Sequence, residues 1–168
     1  MKKLLISISI ILLSASLFSQ TTIFSEGFEG ATNQFTSSAA VSTTANWTLN
    51  TAFSASGTQS FQGQIVTSDT LWLESAAFST VGFPTINLSF SHIAKVDFFD
   101  KAIIQYSSDN GVTWITASSM DYLGSGNFIG NSFSSASYFD WQPGVASATP
   151  TNSWWKSEQF NLPLLSNV

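Results

Sequence analysis

The chain carries one histidine, ten carboxylates, no cysteine and no arginine, and these facts bound the chemistry open to it. A Ser–His–acid triad needs a histidine beside an activated serine and an orienting acid. Serines are abundant, but no G-x-S-x-G elbow is present to activate one. Without cysteine there is no thiolate nucleophile, no disulfide and no sulfur ligand for zinc. One histidine also closes a His-rich metal site. A glycosidase needs only two carboxylates, yet no pair stands out along the chain. His92 continues the apolar alternation of Ile86, Leu88 and Phe90, which reads as a hydrogen-bonded core histidine. The expectation is a protein that is not an enzyme.

The acids gather in two places, Glu26 and Glu29 in Ser25 to Gly30, and Asp97 and Asp100 in Val96 to Asp100. Calcium takes about six to eight oxygens from carboxylates and carbonyls, and rim loops of a sandwich offer both. Glu26, Glu29, Asp97 and Asp100 are therefore the candidate ligands of a structural calcium ion. No EF-hand spacing accompanies them, and the other reading is solvated acids at turns.

Ser107-Ser108-Asp109-Asn110-Gly111-Val112-Thr113-Trp114 fits the Asp-box pattern S-x-D-x-G-x-T-W at every defined position. Its physics is local. Asp109 can accept from amides of its own turn, Gly111 supplies a positive φ, and Trp114 packs beneath the hairpin. Ser107, Asp109, Gly111, Thr113 and Trp114 are thus expected to be structural. Tyr138, Phe139, Trp141, Trp154 and Trp155 are the remaining aromatic candidates. Exposed on loops, Tyr138, Trp141 and Trp155 would stack on a sugar or anchor a partner. Folded back, they would cover the core. Two adjacent tryptophans in one strand point to opposite faces, which would leave one of Trp154 and Trp155 exposed.

The elements that must position these residues read as strands. No sustained helical period appears, and short alternating runs are separated by Gly, Asn, Ser and Pro. A first strand is expected over Thr22 to Phe28, followed by a polar Ser/Thr-rich connection from Ala31 to Thr44. Trp47 and Phe53 mark a second apolar patch, and Ser60 to Val66 and Thr70 to Glu74 read as two strands joined at Thr67 to Asp69. The clearest strand is Thr85 to Ala94, with Ile86, Leu88, Phe90 and His92 on one face and Asn87, Ser89 and Ser91 on the other. Lys101 to Ser107 and Trp114 to Ser118 flank the Asp-Asn-Gly turn as a hairpin. Leu123 to Ala148 reads as a long insertion, functional or mobile, and Trp154 to Leu162 as a returning strand.

Composition places this body outside the cytoplasm. Met1-Lys2-Lys3, an apolar run from Leu4 to Leu13 and small residues at 14 to 16 make a secretory signal peptide of residues 1–20. The apolar core of about ten residues is too short for the roughly twenty of a membrane span. Residues 21–168 then form one domain with three lysines against ten acids, a formal charge of −7. Nucleic-acid binding relies on Lys and Arg neutralising phosphates, so that partner is excluded, and an anionic membrane is disfavoured with it. The chain stops at Val168 without a closing strand, and the expectation is a fragment ending one to three strands short.

Taken in order, Phe24 to Gly30, Trp47, Leu71-Trp72-Leu73-Glu74-Ser75, Leu88 to His92, Asp100 and the Asp-box hairpin resemble the jelly-roll modules related to MAM and cleaved-adhesin domains. A single Asp-box hairpin is similar to that of reelin repeats. The resemblance covers about residues 22 to 165. It implies a two-sheet antiparallel jelly-roll sandwich, concanavalin-like, often with structural calcium, in surface proteins exported by the type IX route. Carried over by position, Glu26 or Glu29 and Asp100 would be the calcium ligands. Leu73-Glu74-Ser75-Ala76 departs from the usual Leu-x-Ser-Pro, and the closing strand that would add ligands is missing. The expected function is a secreted or cell-surface binding or adhesion module of a larger exported protein, meeting an extracellular glycan or protein. The alternative is a carbohydrate-binding accessory domain of a secreted hydrolase.

Overall fold

The computed structural model describes residues 20–65, 68–142 and 149–168; the segment 1–20 expected to be a signal peptide lies outside them apart from Gln20. The described residues form an all-β protein without an α-helix, with short 3-10 turns between strands. Eight strands pair antiparallel into four two-stranded ladders. In chain order they are β1 (Phe35–Ala39), β2 (Trp47–Asn50), β3 (Ser60–Gly63), β4 (Leu71–Ser75), β5 (Asn87–His92), β6 (Gln105–Tyr106), β7 (Ile115–Thr116) and β8 (Lys156–Asn161). The ladders are β1–β4, β2–β3, β5–β8 and β6–β7.

The core is built on β5 and β8. Ile86, Leu88, Phe90 and His92 turn inward while Asn87, Ser89 and Ser91 stay exposed, the period-two division expected of this run. β8 answers it with Glu158 and Phe160 inward and Ser157 and Gln159 outward, in a register that sets Phe90 opposite Glu158 and Leu88 opposite Phe160. Phe128, Phe133, Trp141, Leu162 and Leu165 complete the apolar cluster. A bridge between Tyr122 and Phe160 lays residues 121–123 along the other edge of β8. Its hydrogen bonds run from Leu123 N to Gln159 O at 2.9 Å and from Asn161 N to Asp121 O at 2.8 Å. That edge is thereby satisfied rather than left open.

Several expected elements are corrected. Thr22 to Phe28 is not a strand; the first strand, β1, falls inside the stretch read as a polar connection. The reason is pairing: Phe35, Ser37 and Ala39 pack inward against β4 while Thr36 and Ser38 face water. Ser/Thr content masked a true alternation. The two strands read at Ser60 to Val66 and Thr70 to Glu74 are present as the shorter β3 and as β4, β3 pairing with β2 and β4 with β1. The run from Leu123 is no free insertion either, since Phe128, Phe133 and Trp141 are core residues.

Packing around β1 to β4 is thinner and aromatic. Phe28 stacks on Phe61 with centroids 4.8 Å apart, and Phe24 on Phe78 at 4.8 Å. Trp47 lies across Gly63, its register partner. A Cβ added there would sit 2.7 Å from Trp47 Cε2, so only glycine admits the ring.

Candidate functional site

Three arrangements could carry function: the buried polar knot at Glu158, the Asp-box hairpin, and a groove beside an exposed pair of phenylalanines.

The knot forms because the β5–β8 register brings His92 diagonal to Glu158 on the inner face. Glu158 is 1% exposed. Tyr122 donates its hydroxyl to Oε2 at 2.5 Å and Tyr138 donates to Oε1 at 2.7 Å, with His92 Nε2 3.4 Å from Oε1. Burial alone pushes this carboxyl up, but the hydrogen bonds from His92, Tyr122 and Tyr138 outweigh it and hold it below the ordinary glutamate range. The Tyr122 and Tyr138 hydroxyls move the other way, raised by burial first and then by bonding to the carboxylate. His92 is enclosed by rings, edge-on to Phe133 at 4.4 Å and to Trp141 at 5.0 Å. The histidine is therefore the hydrogen-bonded core residue that its alternation predicts. An acid, a histidine and two phenols meet here, with the His92 ring held edge-on between Phe133 and Trp141. Sequence reasoning did not find Glu158; its only signal is a lone carboxylate at an apolar position of β8.

Of the aromatic candidates, Trp141 and Tyr138 fold inward, whereas Phe139 stays 85% exposed. Trp141 is fully buried, at 0% exposure. Its Nε1 donates to Trp154 O at 2.9 Å and its ring meets Tyr138 at 4.6 Å. The surface-stacking expectation for Trp141 is corrected for that reason, and Tyr138 is committed to Glu158. Trp154 lies in a 3-10 turn rather than a strand, and Trp155 is half-buried ahead of β8. Their expected up-and-down alternation does not arise. Lysines clamp this region: Lys95 Nζ donates to Trp141 O at 2.9 Å, and Lys156 pairs with Asp140 at 2.6 Å.

At the Asp-box hairpin, Ser107 Oγ donates to Asp109 Oδ1 at 2.7 Å and accepts from Gly111 N at 2.8 Å. Asp109 accepts from Thr113 N at 2.8 Å and from Thr113 Oγ1 at 2.6 Å. These bonds, led by the Thr113 hydroxyl, lower the Asp109 carboxyl to about 2. Asn110 and Gly111 take φ of 58° and 82°, the left-handed pair that a tight turn requires. The carboxylate is spent on its own turn. Trp114 stays partly exposed, lying alongside Gly111 rather than under the hairpin.

The four acids proposed for calcium are mostly engaged with backbone. Glu26 accepts from Phe28 N at 2.7 Å and Gln34 N at 2.8 Å, and the Gln34 and Phe28 bonds lower its pKa. Glu29 accepts from the Thr58 hydroxyl at 2.7 Å and from Thr58 N and Gln59 N at 2.9 Å, and is lowered likewise. Asp97 Oδ1 accepts from Phe98 N at 2.7 Å. Among the described residues no three His, Asp or Glu side chains gather as a metal-binding group.

What Asp97 builds is a turn. With Asp100 N donating to Asp97 O at 3.0 Å, it presents Phe98 and Phe99 at the tip, 70% and 89% exposed. The turn leads into a two-way bridge at 2.8 Å between Ala102 and Phe133. Because Phe133 is fully buried, the bridge fixes residues 129–137 beside the turn. Gly130 and Asn131 both hold positive φ, 62° and 61°, and Asn131 Oδ1 anchors the loop by accepting from Ser119 N at 2.8 Å. Ile129 is left outward. The resulting groove, about 220 Å³, is lined by Phe98, Asp100, Lys101, Ile129, Ala136 and the serines 132, 134 and 137. A second hollow of about 240 Å³ lies along β5–β8, lined by Ser89, Phe90, Ser91, Ser157, Glu158 and Gln159. The sequence singles out the two aspartates flanking this tip as calcium candidates and not the phenylalanines between them. Two successive apolar rings between aspartates in a turn cannot both be buried, and that was the available signal.

Compared with protein-family models, curated proteins and solved structures, the chain matches none.

Proposed function

We propose that this chain is a non-catalytic, exported binding or adhesion module that recognises an extracellular ligand through the groove lined by Phe98, with Phe99 exposed next to it in the same turn. The observation that carries the reading is the exposure of those two rings, 70% and 89%, on a turn tied to the core through Phe133. Large rings held in water on a rigid support are the residues that dominate recognition energetics when covered. The basic-then-apolar residues 2–13 support export, and a charge of −7 over residues 21–168 supports a partner other than nucleic acid. The four antiparallel ladders support a jelly-roll sandwich as the architecture, with β1–β4 and β5–β8 contributing to its sheets.

The test is retention of the purified protein on wells coated with fibronectin, collagen, mucin or an insoluble polysaccharide. Retention on at least one surface should fall more than about tenfold in the double variant F98A/F99A, since each covered aromatic anchor is worth about 2 kcal/mol. Retention indifferent to that change would overturn the reading. So would turnover of a chromogenic glycoside or ester that Glu158→Gln abolishes.

A further inference from the structure

The geometry points to a carbohydrate as the ligand of this groove: one neutral pyranose ring lying on Phe98, its hydroxyls taken by Asp100, Lys101, Ser134 and Ser137. The inference rests on the groove being the binding site and adds what kind of molecule fills it.

Size comes first. The groove encloses about 220 Å³, below the roughly 300–1,000 Å³ of pockets for drug-sized ligands, so it seats a single ring rather than an extended chain. A flat protein partner needs about 1,000 Å² or more of matched surface, which a one-ring hollow does not supply by itself.

The lining divides as a sugar does. Phe98 and Ile129 give apolar walls suited to the C–H face of a pyranose. Ala136 adds a methyl, and the other lining residues carry hydroxyl or charge. Ser134 Oγ accepts from Ala136 N at 3.2 Å and Ser137 Oγ accepts from Ser134 N at 3.0 Å. Each hydroxyl thus keeps its proton to donate. Ser132 is already committed to Ile129 O at 3.3 Å. Asp100 accepts only and Lys101 donates only. Among the described residues the one lysine–carboxylate pair is Lys156–Asp140, so Asp100 and Lys101 keep their charges for a ligand. Sugar hydroxyls, each donor and acceptor together, satisfy such a mixed rim.

Charge selects among sugars. A chain of −7 over residues 21–168 repels sialylated or sulfated termini at ordinary ionic strength, leaving neutral ones.

The experiment is a glycan array of termini in glucose, galactose, mannose, N-acetylglucosamine and fucose, with sialylated counterparts. It is probed with the wild type, Phe98→Ala, Phe98→Trp and Asp100→Asn. Neutral termini should be retained and sialylated ones should be weaker. Phe98→Ala should weaken retention about tenfold, the factor carried by one aromatic contact. Asp100→Asn should do the same through loss of a charged acceptor, while Phe98→Trp retains binding. These side chains lie outside the core, so unchanged circular dichroism certifies each variant. An array that stays silent, or retention unmoved by Phe98→Ala and Asp100→Asn, overturns the carbohydrate. If the array is silent while fibronectin or collagen wells still lose the F98A/F99A variant, the groove binds protein and only this inference falls. If the wells are equally silent, the binding reading falls with it.

Discussion

Replacing Glu158 with glutamine keeps the shape of the side chain and removes its charge, which isolates the energetic role of the buried knot. Three donors converge on the carboxylate, from Tyr122 at 2.5 Å, Tyr138 at 2.7 Å and His92 at 3.4 Å. In the variant one oxygen becomes an NH₂ donor, so at least one of these groups loses its acceptor and the others lose charge assistance. A hydrogen bond to a charged group is worth about 1.5–3 kcal/mol. With at least one such bond lost and the others weakened, the upper end of that range, about 3 kcal/mol, is the expected cost. For a domain of this size, about 2–4 °C per kcal/mol gives a Tm lowered by about 6–12 °C, read by circular dichroism at pH 7.

The same variant has a pH signature. The native carboxyl sits below the ordinary glutamate range, so between the two values the unfolded chain binds more protons and stability rises with pH. Glu158 contributes fully above about pH 5, clear of the unfolded glutamate value of about 4.3, and its contribution is lost as pH falls through the native value. The gap between wild type and Glu158→Gln should therefore narrow on acidification. A Tm loss under about 2 °C at pH 7, less than 1 kcal/mol by the same conversion, would refute the reasoning. A gap constant from pH 7 to pH 3 would refute it equally.

Phe133→Ala should destabilise by about 3–5 kcal/mol in urea titrations, because a fully buried ring is removed, and should weaken ligand retention as well, because the Ala102 bridge loses its anchor. Gly63→Ala forces a Cβ to 2.7 Å from the Trp47 ring and should cost about 1–3 kcal/mol as overpacking, with a shifted tryptophan emission. In the Asp-box hairpin, Asp109→Ala should speed amide exchange at Thr113 N–H, which the carboxylate accepts at 2.8 Å. A carboxyl titration of the wild type should place Asp109 at about 2, so that its support of the hairpin is lost only as pH falls through that value.

Alternation on β5 was legible in the sequence because Ile86, Leu88, Phe90 and His92 are apolar or nearly so, while Asn87, Ser89 and Ser91 are not. The turn at Asn110-Gly111 was legible for a similar reason, since few residue pairs accept two positive φ values. β1 was not. Its inward residues include Ser37, whose hydroxyl meets Asn46 and accepts from Trp47 N at 3.0 Å, and no hydropathy pattern records a serine turned inward by its partners. Strand pairing was also hidden, because β4 meets β1 across a gap in sequence that local turns do not encode. The knot escaped notice because Glu158, Tyr122 and Tyr138 come from three separate segments. Tyr138 and Trp141 suggested a surface loop by composition, while their packing depends on Lys95, Lys156 and Trp154, which only the tertiary structure assembles.

Amide hydrogen exchange of the protein, free and then retained on the coated surface that holds it, tests the proposed recognition face most directly. Protection gained at residues 97–101 and 129–137, with β5 and β8 unchanged, is the expected footprint. Protection falling on Ser89, Ser91, Ser157 and Gln159 instead, or spread over β1 to β4, would place recognition elsewhere and contradict the role given to Phe98 and Phe99.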